Sequence, residues 1–139
     1  MQFVAYGQSK TANIWMANEI ERRCGAQGLH ALSLHPGVID TNLSRHISSA
    51  TSSQAAPDPA FQAYKKDIPQ GAATTILAAV GEEFEGKGGV YLAECRVAPP
   101  MEEGLSRTQM SHRHMPYAYD EAGEKRLWQV SCEMVGAQA

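Results

Sequence analysis

Apolar side chains recur at helical spacing near the start of the chain and predict a first helix from about residue 5 to residue 24. The apolar positions of this pattern are Ile14, Ala17, Ile20 and Cys24. Glu19 is spaced to pair with Arg22 and Arg23 on the same helix. Gly25 follows the last apolar position and indicates where the helix ends.

Two short apolar runs predict strands, over residues 29–35 and 90–95. Helices are predicted over 59–64, from near residue 69 to 80, and over 120–135. The alternation of helices and strands predicts a parallel β-α-β unit. Two strands form a poor middle layer for a parallel sheet, which is normally covered by helices on both faces. We therefore expect the chain to be part of a larger α/β fold.

Length, charge and composition exclude several classes of protein. A chain of 139 residues holds one domain at most. Its 12 basic and 15 acidic residues give a formal charge of −3, and so predict no binding to nucleic acid or to an anionic membrane. No apolar run approaches the length of a membrane span, and the first residues do not have the order of a secretory signal. Cys24, Cys95 and Cys132 are widely separated, which favours buried, reduced thiols and a cytoplasmic protein.

Tyr6 and Lys10 are four residues apart, so a helix places them on one face. A phenol titrates near pH ~10, and a neighbouring ammonium lowers that value by favouring phenolate. Such a pair is suited to general acid–base work on a carbonyl or alcohol oxygen. A single Y-x-x-x-K spacing also arises easily by chance, so its interpretation depends on the motifs around it.

Several further segments resemble one enzyme family. Residues 6–10 read Y-G-Q-S-K and resemble the Y-x-x-S-K motif of short-chain dehydrogenase/reductases. Residues 35–41 read H-P-G-V-I-D-T and are similar to that family's P-G-x-x-x-T segment, one helix and one strand later. The similarity continues through residues 70–75, 89–92 and 126–131, and these segments resemble the branch of the family that includes retinol dehydrogenases. It thus covers nearly the whole chain.

The resemblance implies an NAD(P)-dependent exchange of hydride between an alcohol and a carbonyl compound. Tyr6 would protonate the carbonyl oxygen during reduction, and Lys10 would hydrogen-bond the nicotinamide ribose. Pro36, Gly37 and Val38 would lie against the nicotinamide, with Thr41 adding a hydrogen bond to its carboxamide. Ser9 belongs to the motif, but its hydroxyl fits a place on the helix surface equally well.

Other parts of the family pattern do not occur in the 139 residues. No three glycines have the G-x-x-x-G-x-G spacing that would hold the cofactor pyrophosphate, and no catalytic serine can precede Tyr6 by more than ten residues. We therefore expect an incomplete Rossmann-type domain, the C-terminal half of a doubly wound parallel sheet with about two parallel strands and flanking helices. An N-terminal anchor, as some retinol dehydrogenases carry, would lie in the missing part. NAD and NADP both remain open as the cofactor.

The segment from about residue 42 to 68 corresponds to the substrate loop of the family. Six of the ten residues 44–53 are Ser or Thr, so the segment fits either a lid over the substrate or a mobile loop. Its apolar residues favour a lipophilic substrate; they are Leu43, Ile47, Phe61 and Tyr64. No metal site is expected, because His112 and His114 have no further ligand at a suitable spacing.

A rival interpretation is that the chain derives from this family but does not catalyse a reaction. The chain would then be a non-catalytic protein that acts by association with a full-length relative. An unpaired strand at residues 29–35 would favour such pairing, or self-association.

Overall fold

A computed structural model describes residues 2–39 and 59–138 of the chain. The elements in chain order are helix α1 (Gln2–Cys24), strand β1 (Ser33–His35), helices α2 (Pro59–Tyr64) and α3 (Ile68–Val80), strands β2 (Tyr91–Ala93) and β3 (Arg96–Val97), and helices α4 (Arg107–Met110) and α5 (Glu121–Val135). Short 3-10 turns cover Gly25–Gln27, Glu82–Phe84 and Pro116–Tyr119.

The strands form one small mixed sheet in the order β1-β2-β3. β1 pairs with β2 in parallel, with Leu34 opposite Leu92, and β2 pairs with β3 in the antiparallel sense. Leu92 has no exposed surface, and helices α1 and α3 both contact β1. The predicted α/β class and its parallel strand pair are confirmed, and the antiparallel β3 adds a third strand.

The strands are shorter than the apolar runs predict. The N–H of Leu29 donates to the carbonyl of Cys24, and the N–H of Ala31 donates to the Glu21 carboxylate, so these groups serve the end of α1. At the other strand, Glu94 and Cys95 both have φ of 54° and turn the chain into β3. The prediction of strand through residue 95 is therefore wrong for these two residues, and the turn leaves Cys95 exposed rather than buried.

Helices α1 and α5 pack together around a buried polar network. Glu19 on α1 and Glu124 on α5 are each only 2% exposed. Arg22 forms ion pairs with both carboxylates, and Arg23 forms a second ion pair with Glu19, at 2.7 Å. The Asn18 amide donates to Glu124 at 2.7 Å. These contacts fix α1, the helix that carries Tyr6 and Lys10, against the last helix of the chain.

Near the end of α1, Glu21 contacts the segment that leads into β1. Its carboxylate contacts His30 Nδ1 at 3.0 Å and accepts from the Ala31 N–H at 3.2 Å. A β-carbon at Gly88 would stand 2.0 Å from Glu21 Oε2, so only glycine leaves room for this carboxylate. Gly88 therefore lets the Glu21 carboxylate pack against the segments that lead into β1 and β2.

Two further observations concern cysteines and membrane spans. All three cysteines are free thiols, and Cys132 is buried. Among residues 2–39 and 59–138, no helix is both long enough and apolar enough to cross a membrane.

Candidate functional site

One cavity of about 470 Å³ lies between α1 and the carboxyl end of β1. Tyr6 and Lys10 line it from the helix, and Pro36 and Gly37 line it from the turn after the strand. The remaining lining residues are Asn13, Ile14, Leu32, Ser33, Leu34, His35, Ile39 and Tyr91. The fold thus brings together, at one cavity, the two sequence motifs that are separated by a helix and a strand.

Tyr6 and Lys10 are neighbours on an accessible part of α1. The Lys10 ammonium lies 5.2 Å from the centre of the Tyr6 ring, and Tyr6 is 55% exposed. The Ser9 hydroxyl donates to the Tyr6 carbonyl at 2.7 Å, so it bonds within its own helix. A phenol with a cation beside it can exchange a proton with a ligand oxygen in the cavity.

The turn after β1 has a conformation that requires glycine. Gly37 has φ of +94°, which side-chain-bearing residues rarely adopt. Its N–H donates to His35 Nδ1 at 2.9 Å, and the carbonyl of the next residue, Val38, accepts from the Lys66 N–H at 2.8 Å. The turn is thereby held from both of its ends.

The other predicted site residues are not all part of this cavity. Thr41, Leu43 and Ile47 lie outside the described residues. Phe61 lies in α2. Tyr64 lines a separate cavity of about 400 Å³, where its hydroxyl donates to Glu94 Oε1 at 3.1 Å.

Burial and the charges around the turn shift the pKa values of two groups. Burial, and then the positive charge of Lys66, lower the pKa of His35 below 6.5, although Glu94 opposes this shift. Burial raises the pKa of the Glu94 carboxyl, but the hydrogen bond and charge of Lys66 outweigh it and leave that pKa below its ordinary value. At neutral pH His35 is therefore neutral, and its Nδ1 is an acceptor for the Gly37 N–H.

Tyr91 is the second phenol in the cavity wall. Burial raises its pKa above 10, and the nearby phenols of Tyr64 and Tyr119 act in the same direction. Tyr91 is accordingly protonated at neutral pH and gives up its proton less readily than an ordinary phenol.

Acidification is expected to destabilise the protein through His35. The unfolded chain takes up this proton near pH 6.5, whereas the fold holds the pKa lower, so stability is present above that pH and is lost as the pH falls through the folded pKa. In His35→Asn the amide oxygen can replace Nδ1 as acceptor without titrating. Urea unfolding between about pH 7 and pH 5 should therefore give a shallower loss of unfolding free energy in His35→Asn. Equal slopes in both proteins would contradict this assignment.

Within residues 2–39 and 59–138, no three His, Cys, Asp or Glu side chains are grouped as a metal ion would need. His114 instead packs edge-on against the Tyr119 ring at 4.8 Å between centroids.

Sequence reasoning missed three residues around the turn. His35 was only the first residue of the H-P-G segment, yet it accepts the glycine N–H. Lys66 and Glu94 form an ion pair of 2.7 Å next to that turn. Their separation in sequence is 28 residues, since 94 − 66 = 28, and no local pattern indicates that they meet.

Comparison with known proteins gives relatives over nearly the whole chain. Over 96% of this chain, the sequence is 50% identical to short-chain dehydrogenase/reductase prx1 of Penicillium rubens. Over 97% of this chain, it is 43% identical to oxidoreductase calI of Penicillium decumbens. Retinol dehydrogenase 14 of Mus musculus is 34% identical over 94% of the chain.

The aligned part is 38%, 40% and 35% of these three relatives, so the chain spans about two-fifths of the length of the curated relatives it matches. No protein-family model matches it. The motifs, the α/β fold and the level of identity agree with one another. The chain belongs to the short-chain dehydrogenase/reductase family.

Proposed function

We propose that this chain supplies the acid–base and nicotinamide-facing part of an NAD(P)-dependent oxidoreductase site. The observation that carries the proposal is the single cavity lined by Tyr6, Lys10, Pro36 and Gly37. Its volume of about 470 Å³ lies within the range of small-molecule sites. The names of the relatives, which include an oxidoreductase and a retinol dehydrogenase, support the same class of reaction.

The residues around the cavity fit one part of a dinucleotide. Lys10 offers a cation for the nicotinamide ribose, and the turn at Pro36–Val38 offers backbone groups for the carboxamide, with Thr41 as a further donor. No glycine triad with G-x-x-x-G-x-G spacing occurs in the 139 residues. The proposal therefore assigns the pyrophosphate and adenosine contacts to polypeptide outside them, and treats residues 1–139 as one partial Rossmann-type domain.

The chain's own chemistry is a proton transfer. During carbonyl reduction the Tyr6 hydroxyl donates its proton to the substrate oxygen, and during alcohol oxidation the Tyr6 oxygen takes that proton back. NAD(P)H, when bound, supplies the hydride. Lys10, 5.2 Å from the phenol ring, places positive charge where negative charge develops on the two oxygens.

The substrate is proposed to be a small alcohol or carbonyl compound of lipophilic character. This rests on the apolar residues of the substrate-loop region, Leu43, Ile47, Phe61 and Tyr64. The three free thiols suit a reducing compartment, and we place the protein in the cytoplasm.

A fusion protein that combines this chain with the rest of a relative tests the proposed function. The 139 residues replace the aligned segment of the Penicillium rubens relative, which is 50% identical to them there, so that the fusion protein keeps the remaining part of that relative. The fusion protein is expected to oxidise NADH or NADPH in the presence of lipophilic aldehydes or ketones, followed by absorbance. A folded fusion protein that binds cofactor and turns over no carbonyl or alcohol substrate would overturn the proposed function.

The 139-residue chain by itself is expected to bind NAD(P)H with a millimolar or weaker dissociation constant. Lys10 and Thr41 each offer a hydrogen bond that nets about 0.5–1.5 kcal/mol, against an association cost of at least about 4 kcal/mol. Fluorescence titration of NADPH measures this affinity. Saturation at micromolar concentration would show that the missing contacts are dispensable.

The purified 139-residue chain is also expected to self-associate. In the described part of the chain β1 has a neighbour, β2, on one side only, and an open strand edge is a template for pairing. Light scattering coupled to size-exclusion chromatography should give a mass above 15.1 kDa. A monodisperse monomer would contradict the expectation.

The same open edge favours one alternative function, a non-catalytic partner of a full-length relative. Mixing the chain with the full-length Penicillium rubens relative discriminates the two. A stable complex with the relative, combined with an inactive fusion protein, would favour the alternative.

A further inference from the structure

Pro36 and Gly37, two residues of the turn that continues to Val38, line one wall of the cavity, and an arm of the protein contacts this turn. That arm is Lys66, whose N–H donates to the Val38 carbonyl at 2.8 Å and whose backbone forms a parallel bridge with Ile39. Lys66 is not among the residues that line the cavity of Tyr6 and Lys10. It therefore reaches that site only through the turn.

The stem of the Lys66 side chain covers the α-carbon of Gly37. A β-carbon at Gly37 would stand 2.6 Å from Lys66 Cδ and 2.8 Å from Cε. The φ of +94° favours glycine at this position, and the Lys66 methylene groups lie close against its α-carbon.

The end of the arm is held by Glu94. Lys66 Nζ lies 2.7 Å from Glu94 Oε1, and the Lys66 side chain is only 14% exposed. The same carboxylate oxygen accepts from the Tyr64 hydroxyl at 3.1 Å. The neighbouring Cys95 N–H donates to the fully buried Thr74 hydroxyl at 3.2 Å, which fixes the turn that presents Glu94.

We propose that Lys66 and Glu94 are positioning residues that hold the Pro36–Gly37–Val38 turn in place as the nicotinamide-facing wall of the cavity. The inference rests on the proposed function for the identity of what this wall faces. Neither residue touches the reacting atoms. Both act by fixing backbone groups, and a displacement of about 1 Å in such groups costs roughly 100-fold in rate.

Three variants separate the charge of the arm from its bulk. Lys66→Met keeps a long apolar stem over Gly37 and removes the ammonium. Lys66→Arg keeps the charge for Glu94, and Glu94→Gln keeps an oxygen acceptor while removing the negative charge. Glu94→Gln also keeps the test decisive if Lys66→Met fails to fold.

The first readout needs no cofactor. In the 139-residue chain, amide hydrogen exchange at Gly37 should accelerate roughly tenfold in Lys66→Met and Glu94→Gln, because the turn opens locally, and Lys66→Arg should restore slow exchange. Unchanged exchange at Gly37 in both charge-removing variants would overturn the inference, whether or not the fusion protein is active.

The second readout uses the fusion protein, at a temperature well below the Tm of each variant. The value of kcat/KM for NAD(P)H should fall roughly tenfold or more in Lys66→Met and recover in Lys66→Arg. A purely stabilising role would leave these values at the wild-type level, and that result would overturn the inference while leaving the proposed function intact. An inactive wild-type fusion protein would instead overturn the proposed function, with the exchange data still deciding whether Lys66 holds the turn.

Discussion

Tyr6→Phe in the fusion protein is expected to lower kcat by roughly 100-fold or more, the usual contribution of a positioned acid–base group. The substitution keeps the ring and the cavity shape and removes only the hydroxyl that exchanges the proton. Cofactor affinity should change little, since Lys10 and the turn are untouched. Steady-state kinetics across the pH range measure the effect, because the residual rate of Tyr6→Phe should also lose the pH dependence that proton transfer imposes.

Tyr91→Phe is the matched control, since it removes a second hydroxyl from the same cavity wall. Burial raises the pKa of Tyr91, so this phenol gives up its proton less readily than an ordinary tyrosine, and the loss of kcat should stay below about tenfold. Near-wild-type turnover in Tyr6→Phe, or an equal loss in the two variants, would contradict the mechanism.

Arg22→Ala is expected to lower the free energy of unfolding by about 2–3 kcal/mol. The substitution leaves two carboxylates that are each 2% exposed without their shared cation. Arg23 still pairs with Glu19, whereas Glu124 keeps only the Asn18 amide among the contacts described above. Arg22 itself is 34% exposed, so water relieves part of the cost and the expected value lies below the upper range for buried pairs.

Urea unfolding of the 139-residue chain measures this change, and Lys125→Ala is its control. Lys125 pairs with Glu121 on the surface of α5, with both side chains more than half exposed, so its loss should leave the unfolding free energy almost unchanged. Equal unfolding midpoints for Arg22→Ala and wild type would show that the α1–α5 network does not stabilise the fold.

Local signals in the sequence predicted four of the five described helices and missed the short helix α4. The structure ends α1 at Cys24, immediately before the glycine that indicated a stop, and α5 spans Glu121–Val135 with the Asp120 side chain capping its first turn. Glu19 pairs with Arg22 and Arg23 as its spacing predicts. These features depend on residues within a few positions of one another, and such contacts can be identified in one sequence.

Local sequence patterns could not predict the contacts between residues that lie far apart in the chain. Glu124 joins the Glu19 network from about a hundred residues away, and nothing in its own helix distinguishes it from an exposed glutamate. The turn into β3 uses Glu94 and Cys95 at positive φ, where a sequence would be expected to show Gly or Asn. The roles of Tyr6, Lys10, Pro36, Gly37 and Val38 stay predictions from the family motifs, although the fold brings four of these five residues to one cavity.

The close approach of Gly88 to Glu21 has a consequence for how this sequence can vary. A β-carbon at position 88 would stand 2.0 Å from Glu21 Oε2 and 2.8 Å from the backbone nitrogen of Ala31. A shorter residue at position 21 would relieve the first contact but not the second, because the second involves the main chain. An alignment of many relatives should therefore show glycine at position 88 whatever residue stands at position 21.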